Sequence, residues 1–261
     1  TKKILIQFVL RSNVHLPNNS KCAMNISKSK RNILIVVLTI GILMIISVPI
    51  MQQYKSKKVM NLYFSSERWN QLKQRHSEHP ILPNCVLLFG DSMTENFEKY
   101  ISNPQLLNFG ISGDFSSGLI TRVNSVVKQQ PQQIFIMIGI NDIIEKVPVS
   151  AIKNNYMSVL HQLKEDCPNS EIYVQSTLPT REINSLFSSS KNTNDKVLEL
   201  NTLMQMNCKE LNISFIDLYP LFLDQEKLLK KELSLDGIHL TKQGYDLWKN
   251  ELQKHLKFLL N

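Results

Sequence analysis

The chain has 261 residues, of which 43% are hydrophobic and 20% are charged, a composition typical of a globular protein. Its formal net charge of +8 comes from residues 1–60, which contain ten Lys and Arg and no acidic residue; residues 61–261 carry 20 basic and 22 acidic residues, a net charge of −2. Because this larger part shows no clustering of Lys and Arg typical of a nucleic-acid surface, we expect no nucleic-acid partner.

An uncharged apolar run extends from Ile33 to Met51 and contains 19 residues. At about 1.5 Å of rise per residue, it would span nearly 30 Å as a helix, which is about the thickness of a bilayer core. The sequence therefore predicts a transmembrane anchor over residues 32–52 that contacts the membrane through residues 33–51. A cleaved signal peptide is disfavoured because no small-residue cleavage motif follows the run; a buried core helix is the remaining alternative.

The charges around this run decide its orientation only narrowly. Three basic residues precede it closely and three follow it, and Lys21 tips the balance toward a cytoplasmic N-terminus and an exported domain. Met24 is a candidate start of translation. We expect four regions: a basic N-terminal leader (1–31), the anchor (32–52), a stalk or helical lead-in (53–83) and a folded domain (84–261).

The lead-in is mostly polar. We expect Trp69 and Leu72 to be its inward contacts. His76 and His79 have helical spacing, but no matching pair of metal ligands stands out in the sequence, so we interpret both as part of a solvated linker and expect no metal site.

From residue 84 onward, strand-like apolar segments alternate with helix-like segments. Such alternation predicts an α/β fold with a parallel sheet in three α/β/α layers, and nearly continuous apolar strands suit a sheet that is covered on both faces. A Ser- and Asn-rich stretch, Thr180–Asn194, is predicted to be a surface loop. The predicted strands are Val86–Phe89, Leu106–Ile111, Ile134–Ile138, Ile172–Gln175 and Ser214–Leu218, and the predicted helices are 116–129, 150–165, 195–211 and 242–259.

Short blocks that contain glycine and polar residues stand at the ends of the first three strands. Residues 90–92 and 139–142 directly follow the first and third strands, and residues 108–114 cover the end of the second. Because the carboxyl ends of parallel strands meet at one edge of a sheet, these blocks are expected to converge. Ser92 is the candidate nucleophile, and a serine needs a nearby base to act as one. We interpret Asp91 as the cap of the following helix, and Asp114 and Asp142 as acids that fix their loops.

A candidate base comes late in the chain, in the Asp-Gly-Ile-His motif at residues 236–239. Asp236 can accept a hydrogen bond from one imidazole nitrogen of His239, which leaves the other nitrogen free to take the proton of Ser92. Attack of a serine on an ester creates an oxyanion that needs hydrogen-bond donors. The candidate donors are the backbone N–H groups of Ser92 and Gly113 and the side-chain amide of Asn141.

These four blocks resemble those of the GDSL, or SGNH, hydrolase superfamily, which is named for a Ser, a Gly, an Asn and a His in four blocks. Ser92, Gly113, Asn141 and His239 stand at those positions, and Asp236 completes the triad. The resemblance covers roughly residues 84–260. It implies a flavodoxin-like three-layer fold with a five-stranded sheet, and ester hydrolysis without a metal or other cofactor.

Within the superfamily, three segments look most similar to the platelet-activating-factor acetylhydrolase and lysophospholipase-like branch. They are Asn-Phe-Gly-Ile-Ser-Gly-Asp at 108–114, the Leu-Pro pair at 178–179, and the motif that begins at Asp236 and continues to Tyr245. Met93 replaces the Leu of the longer Gly-Asp-Ser-Leu signature, which is a mild apolar exchange.

The function predicted from these residues is that of a membrane-anchored serine esterase. It would hydrolyse a short-chain acyl ester, acetyl foremost, of a carbohydrate or lipid. One alternative is an O-acyltransferase that uses the same triad to move an acetyl group to a polysaccharide or cell-wall sugar; an intact pair of Gly113 and Asn141 favours hydrolysis over it. The second alternative is a non-catalytic surface binding protein, which the complete set of five residues disfavours.

Overall fold

The computed structural model of the protein describes residues 28–181 and 190–257. The strands are β1 (Val86–Gly90), β2 (Leu106–Gly110), β3 (Gln133–Met137), β4 (Glu171–Gln175) and β5 (Ser214–Ile216). The α-helices are α1 (Lys28–Phe64), α2 (Glu67–Glu78), α3 (Ser92–Phe97), α4 (Ser116–Gln129), α5 (Ile140–Ile144), α6 (Val149–Asp166), α7 (Ser190–Glu210) and α8 (Lys242–Gln253).

The five strands form one parallel sheet in the order β2-β1-β3-β4-β5, the doubly wound order of flavodoxin-like proteins. Gly90, the last residue of β1, is level with Gly110 of β2 and with Met137 of β3. The three loops that follow these strands therefore leave the sheet at one edge. The predicted α/β fold with a five-stranded parallel sheet is confirmed.

Apolar side chains pack on both faces of the sheet, because successive side chains of a strand point to opposite faces. In β1, Leu87 and Phe89 belong to one buried cluster with residues of α4, α6 and α7, whereas Val86 and Leu88 belong to a second cluster with residues of α3 and α8. This two-sided burial explains why the strands are continuously apolar in sequence.

The prediction of a loop over Thr180–Asn194 is wrong at the C-terminal end of that range, because α7 already begins at Ser190. Asn194 explains this difference, since its side-chain oxygen accepts from the backbone N–H of Thr180 and its amide donates to the carbonyl of Thr180. These tertiary hydrogen bonds outweigh the weak helix propensity of Ser and Asn. Residues 182–189 of the predicted loop lie outside the described residues.

Helix α1 is long enough over Asn32–Phe64, and contains a stretch apolar enough, to cross a membrane by length and composition. Its position near the N-terminus is consistent with a single span or with a signal sequence. The chain divides into two units between Pro49 and Ile50. From Ile50 onward, the last turns of α1 thus belong to the same unit as the sheet. The whole lead-in predicted over residues 53–83 also belongs to this unit.

In α2, Trp69 is buried as predicted, but the interpretation of His76 as a solvated residue is wrong. His76 is 6% exposed, and its ring stacks on Phe109 of β2 with the ring centroids 4.4 Å apart. The two buried residues are seven positions apart, so they share one face of the helix. Burial, together with the nearby charge of Arg122, lowers the pKa of His76 to about 3.

This burial of His76 predicts a loss of stability in acid. The pKa of His76 is depressed in the folded state, so between its ordinary value near 6.5 and about 3 only the unfolded chain binds the proton. Stability therefore falls as the pH falls through this window. As the pH falls from 7 to 5, the free energy of unfolding of the full-length His76→Phe variant should rise by about 2 kcal/mol relative to that of the wild type.

Urea unfolding in detergent, followed by the fluorescence of the two tryptophans, measures this difference. His161 is exposed on α6, so His161→Phe is the matched control and should show no such pH-dependent gain. Equal pH dependence of the wild type and the His76→Phe variant would contradict the burial of a neutral His76.

Candidate active site

Three of the residues predicted from sequence meet at the carboxyl edge of the sheet. The Nε2 atom of His239 lies 3.0 Å from the Oγ atom of Ser92, and the Nδ1 atom lies 2.7 Å from a carboxylate oxygen of Asp236. Ser92 begins α3 directly after β1, whereas the other two residues lie 144 or more positions later in the chain. This is the geometry of a serine whose proton can pass to a histidine that a carboxylate orients.

The Asp-Gly-Ile-His turn is built by its own aspartate. One oxygen of Asp236 accepts from the backbone N–H groups of Ile238 and His239, and the other faces the imidazole. Partial burial raises the pKa of Asp236, but these hydrogen bonds outweigh it, and the net effect is a lowered pKa. The carboxylate thus stays charged as a partner for the imidazole.

Gly237 allows this turn to approach the loop after β4. Its φ angle is +89°, and a Cβ atom would collide with the carbonyl oxygen of Arg181. The carbonyl of Gly237 accepts from the backbone N–H of Arg181 at 2.8 Å, and the Arg181 guanidinium is itself paired with Asp224. Glycine is the residue that tolerates both the positive φ angle and the close contact.

Asp91 has the capping role predicted for it. Its side chain accepts from the backbone N–H of Met93 at 3.0 Å, at the N-terminus of the helix that begins with Ser92. Burial raises the pKa of Asp91 to about 7, and the negative charges of Asp114 and Asp142 add to this rise. Asp91 therefore fixes the backbone on which Ser92 lies.

Gly113 and Asn141, the two other candidate oxyanion donors, are linked through Asp114, the residue that follows Gly113. The side-chain amide of Asn141 donates to the carbonyl of Asp114 at 2.9 Å. An amide has two N–H bonds, so this contact leaves one free to donate elsewhere. Gly113 has a φ angle of +82°, a conformation that favours glycine.

Asp142 also has its predicted role of fixing a loop. Its two oxygens accept from the backbone N–H and the hydroxyl of Ser116, at 2.9 and 2.7 Å. This contact ties the start of α5 to the start of α4. Burial raises the pKa of Asp142 to about 7, and the two hydrogen bonds from Ser116 oppose the rise.

Arg122 is a site residue that the sequence analysis missed. Its guanidinium is 1% exposed and pairs with Asp114 at 2.8 Å, and it also donates to the carbonyls of Phe109 and Gly90 at 2.5 and 2.7 Å. Burial raises the pKa of the Asp114 carboxyl, and the Arg122 charge opposes the rise. The signal was an arginine among Leu119, Val123 and Val126 on the apolar stripe of α4, where a charged residue needs a partner.

Glu95 is a second residue that the sequence analysis missed. One of its oxygens accepts from the backbone N–H of Ser112 at 2.5 Å, and the other accepts from Arg68 of α2 at 2.5 Å. Glu95 lies one turn after Ser92 in α3, so it connects the helix of the serine to the loop that contains Gly113. No pattern in the sequence distinguishes it from a solvated glutamate.

Comparison with protein-family models matches residues 88–247 to the GDSL-like lipase/acylhydrolase family. The matched region includes Ser92, Gly113, Asn141, Asp236 and His239. It covers more than half of the chain.

Curated and structural relatives were also found. The chain is 25% identical over 216 residues to an N-acylneuraminate cytidylyltransferase of Escherichia coli O18:K1:H7. The aligned region covers 79% of this chain and 48% of that protein. The chain thus spans about half the length of the curated relatives it matches.

Two solved structures show the same fold. One, from Streptococcus pneumoniae and named for platelet activating factor, is 24% identical with a TM-score of 0.64, covering 80% of this chain and 97% of that one. The other is a catalytic mutant of an acetylxylan esterase from Geobacillus stearothermophilus, which is 18% identical with a TM-score of 0.54 and covers 69% and 96% of the two chains.

The buried ion pair predicts a large loss of stability on removal of its cation. In the full-length Arg122→Met variant, the buried Asp114 carboxylate loses its cation, and the carbonyls of Phe109 and Gly90 each lose a donor. We expect the free energy of unfolding to fall by about 3–5 kcal/mol. Urea unfolding with tryptophan fluorescence measures this loss.

The matched control is Arg75→Met on the exposed side of α2, for which we expect a change within about 0.5 kcal/mol. Adding Asp114→Asn to Arg122→Met should recover part of the loss, because it removes the uncompensated buried charge. Similar losses for the variants at Arg122 and Arg75 would show that the ion pair does not hold the site together.

Proposed function

Because this chain belongs to the GDSL-like lipase/acylhydrolase family, a family of carboxylic ester hydrolases, we propose that Ser92, His239 and Asp236 act together as its catalytic triad. The observation that carries this proposal is the continuous hydrogen-bonded path from the Asp236 carboxylate through His239 to the Ser92 hydroxyl. A histidine oriented in this way is positioned to act as a general base toward the serine.

In the proposed reaction, the Oγ atom of Ser92 attacks the ester carbonyl carbon while its proton moves to Nε2 of His239. The tetrahedral intermediate collapses when His239 returns that proton to the oxygen of the leaving alcohol, which leaves an acyl group on Ser92. Water then attacks the acyl-enzyme and gives a proton to His239. The bond between the acyl carbon and Ser92 Oγ breaks, the carboxylic acid is released, and His239 returns the proton to Ser92 Oγ.

The negative charge of the tetrahedral intermediates needs donors that are already in place. We assign this role to the backbone N–H groups of Ser92 and Gly113 and to the side-chain amide of Asn141. Two features support the assignment: the amide of Asn141 is held by the Asp114 carbonyl next to Gly113, and the Gly113 backbone has a left-handed conformation. Loss of one such donor typically costs about 3–4 kcal/mol of barrier stabilisation.

A short acyl group, acetyl foremost, is the substrate that we propose. An acetyl group is consistent with a structural relative that is named as an acetylxylan esterase. A carbohydrate or lipid alcohol is consistent with relatives that are named for acetylxylan and platelet activating factor. Cytidylyl transfer is not proposed, because a Ser-His-Asp triad is suited to acyl transfer.

Removal of the nucleophile tests the catalytic proposal. In full-length protein, Ser92→Ala should lower the rate of 4-nitrophenyl acetate hydrolysis by at least about a thousandfold, because neither His239 nor the oxyanion donors can replace the attacking oxygen. Release of 4-nitrophenol measures the rate, and the exposed Ser158→Ala on α6 is the matched control with an unchanged rate.

The same assay separates the other functions. Wild-type protein without esterase activity, or equal rates for the wild type and the Ser92→Ala variant, would contradict the esterase proposal and favour a binding protein. Faster 4-nitrophenol release on addition of an oligosaccharide, together with an acetylated sugar product, would instead identify an acyltransferase. The rate for 4-nitrophenyl octanoate should be well below that for the acetate if the acyl site is short.

We also propose that α1 remains in the mature protein as a single membrane span over residues 32–52, with the catalytic unit on the outer side. The uncharged run of 19 residues and the absence of a small-residue cleavage motif after it support a retained anchor.

Full-length protein should stay with the membrane pellet at alkaline pH, and protease added to intact cells should cleave the catalytic unit. A soluble protein shortened by its first 50 or so residues would contradict the anchor, and cleavage only after lysis would contradict the orientation.

A further inference from the structure

The last turns of α1 present one face to the catalytic unit. Between residues 51 and 64, only five residues are not fully exposed, and their spacing of four, four, three and one places them on a single helical stripe. All other residues of this segment, including three lysines, are exposed. The five are Gln52, Ser56, Met60, Tyr63 and Phe64.

Tyr63 contacts the loop that contains Gly113. Its hydroxyl donates to the carbonyl of Ser112 at 2.8 Å, and its ring packs edge-on against Phe115 with the centroids 5.5 Å apart. A Cβ atom on Gly113 would lie 2.9 Å from the Tyr63 ring. Tyr63 thus contacts residues 112–115 and donates a hydrogen bond to the peptide group that contains the Gly113 nitrogen.

Ser56, two turns earlier on the same stripe, contacts the other donor loop. Its hydroxyl donates to the backbone carbonyl of Glu145. Glu145 caps α5, and its N–H donates to the carbonyl of Asn141 at 3.0 Å. Ser56 therefore holds the C-terminal end of a five-residue helix whose first turn contains Asn141.

From these contacts we infer that Tyr63 and Ser56 are positioning residues, through which the end of α1 holds the Gly113 loop and helix α5, which contains Asn141, in register with Ser92. This inference rests on the proposed function, since it concerns the donors Gly113 and Asn141. Neither residue reaches the reacting atoms; each holds the backbone of a loop that does. The helix that contains the apolar run is then also part of the scaffold of the site.

Other contacts also hold these loops, so the loss of one hydroxyl should weaken the site without abolishing it. Glu95 still binds the N–H of Ser112, and Asn141 still binds the carbonyl of Asp114. Full removal of one oxyanion donor typically costs about 10²–10³ in kcat. We therefore expect each of Tyr63→Phe and Ser56→Ala to lower kcat for 4-nitrophenyl acetate about tenfold, with KM changed less than twofold.

The experiment uses full-length protein in detergent and two matched controls at exposed positions. Tyr54 is 69% exposed, and Ser65, an exposed residue directly after α1, donates its hydroxyl to the carbonyl of Leu62. Tyr54→Phe and Ser65→Ala remove the same atoms away from the loops and should leave kcat within twofold of the wild type. The thermal unfolding midpoint is measured for all four variants, and the two test variants should stay folded at the assay temperature.

Hydrogen exchange gives a readout that does not depend on activity. Tyr63→Phe should speed amide exchange in residues 111–115 but not in residues 141–145. Ser56→Ala should speed it in residues 141–145 but not in residues 111–115. A protein that shows these local changes but no esterase activity would contradict the proposed function and leave the positioning role intact. An active protein with wild-type kcat and wild-type exchange in both variants would overturn the positioning role.

Discussion

The buried ion pair between Arg122 and Asp114 is the interaction on which the rest of the site depends. The guanidinium binds the last carbonyl of β1, a carbonyl near the end of β2, and the carboxylate of Asp114 in the loop between β2 and α4. It thereby joins the strand that leads to Ser92 with the loop that contains Gly113. A charge placed so deeply is costly to desolvate, and these three acceptors offset that cost only in one arrangement of the strand ends.

Asp114 extends this arrangement to Asn141, one of the proposed oxyanion donors. Its carboxylate accepts from the indole N–H of Trp69, and its carbonyl accepts from the amide of Asn141. One residue therefore connects α2, α4 and α5. The loops of the site are therefore held by a network of buried hydrogen bonds in which each polar group has a partner. Networks that are fully satisfied in this way are rigid. Rigidity is what the proposed oxyanion donors would require in order to be preorganised.

Helix α1 combines two chemical patterns along one continuous element. From Ile33 to Met51 it is apolar and uncharged, whereas its last turns have a single half-buried stripe and an exposed basic side. A stripe of this kind is typical of a helix that packs on a folded unit. Residues 50–64 thus belong with the catalytic unit both by contact and by chemical pattern, and the stalk is a structural part of the enzyme.

The sequence by itself determined the α/β fold, most element boundaries to within a few residues, and the grouping of Ser92, Asp236 and His239. These features follow from local patterns: apolar strands, short glycine turns, and a carboxylate three residues before a histidine. Only the tertiary structure showed the roles of Arg122, Glu95, His76, Ser56 and Tyr63. Arg122 binds Asp114, eight residues away, and Gly90, 32 residues away. Each of the other four acts on a partner at least 17 residues away in the chain. The energy of a buried charge or hydrogen bond depends on which groups the fold brings beside it, and no local pattern encodes that neighbour.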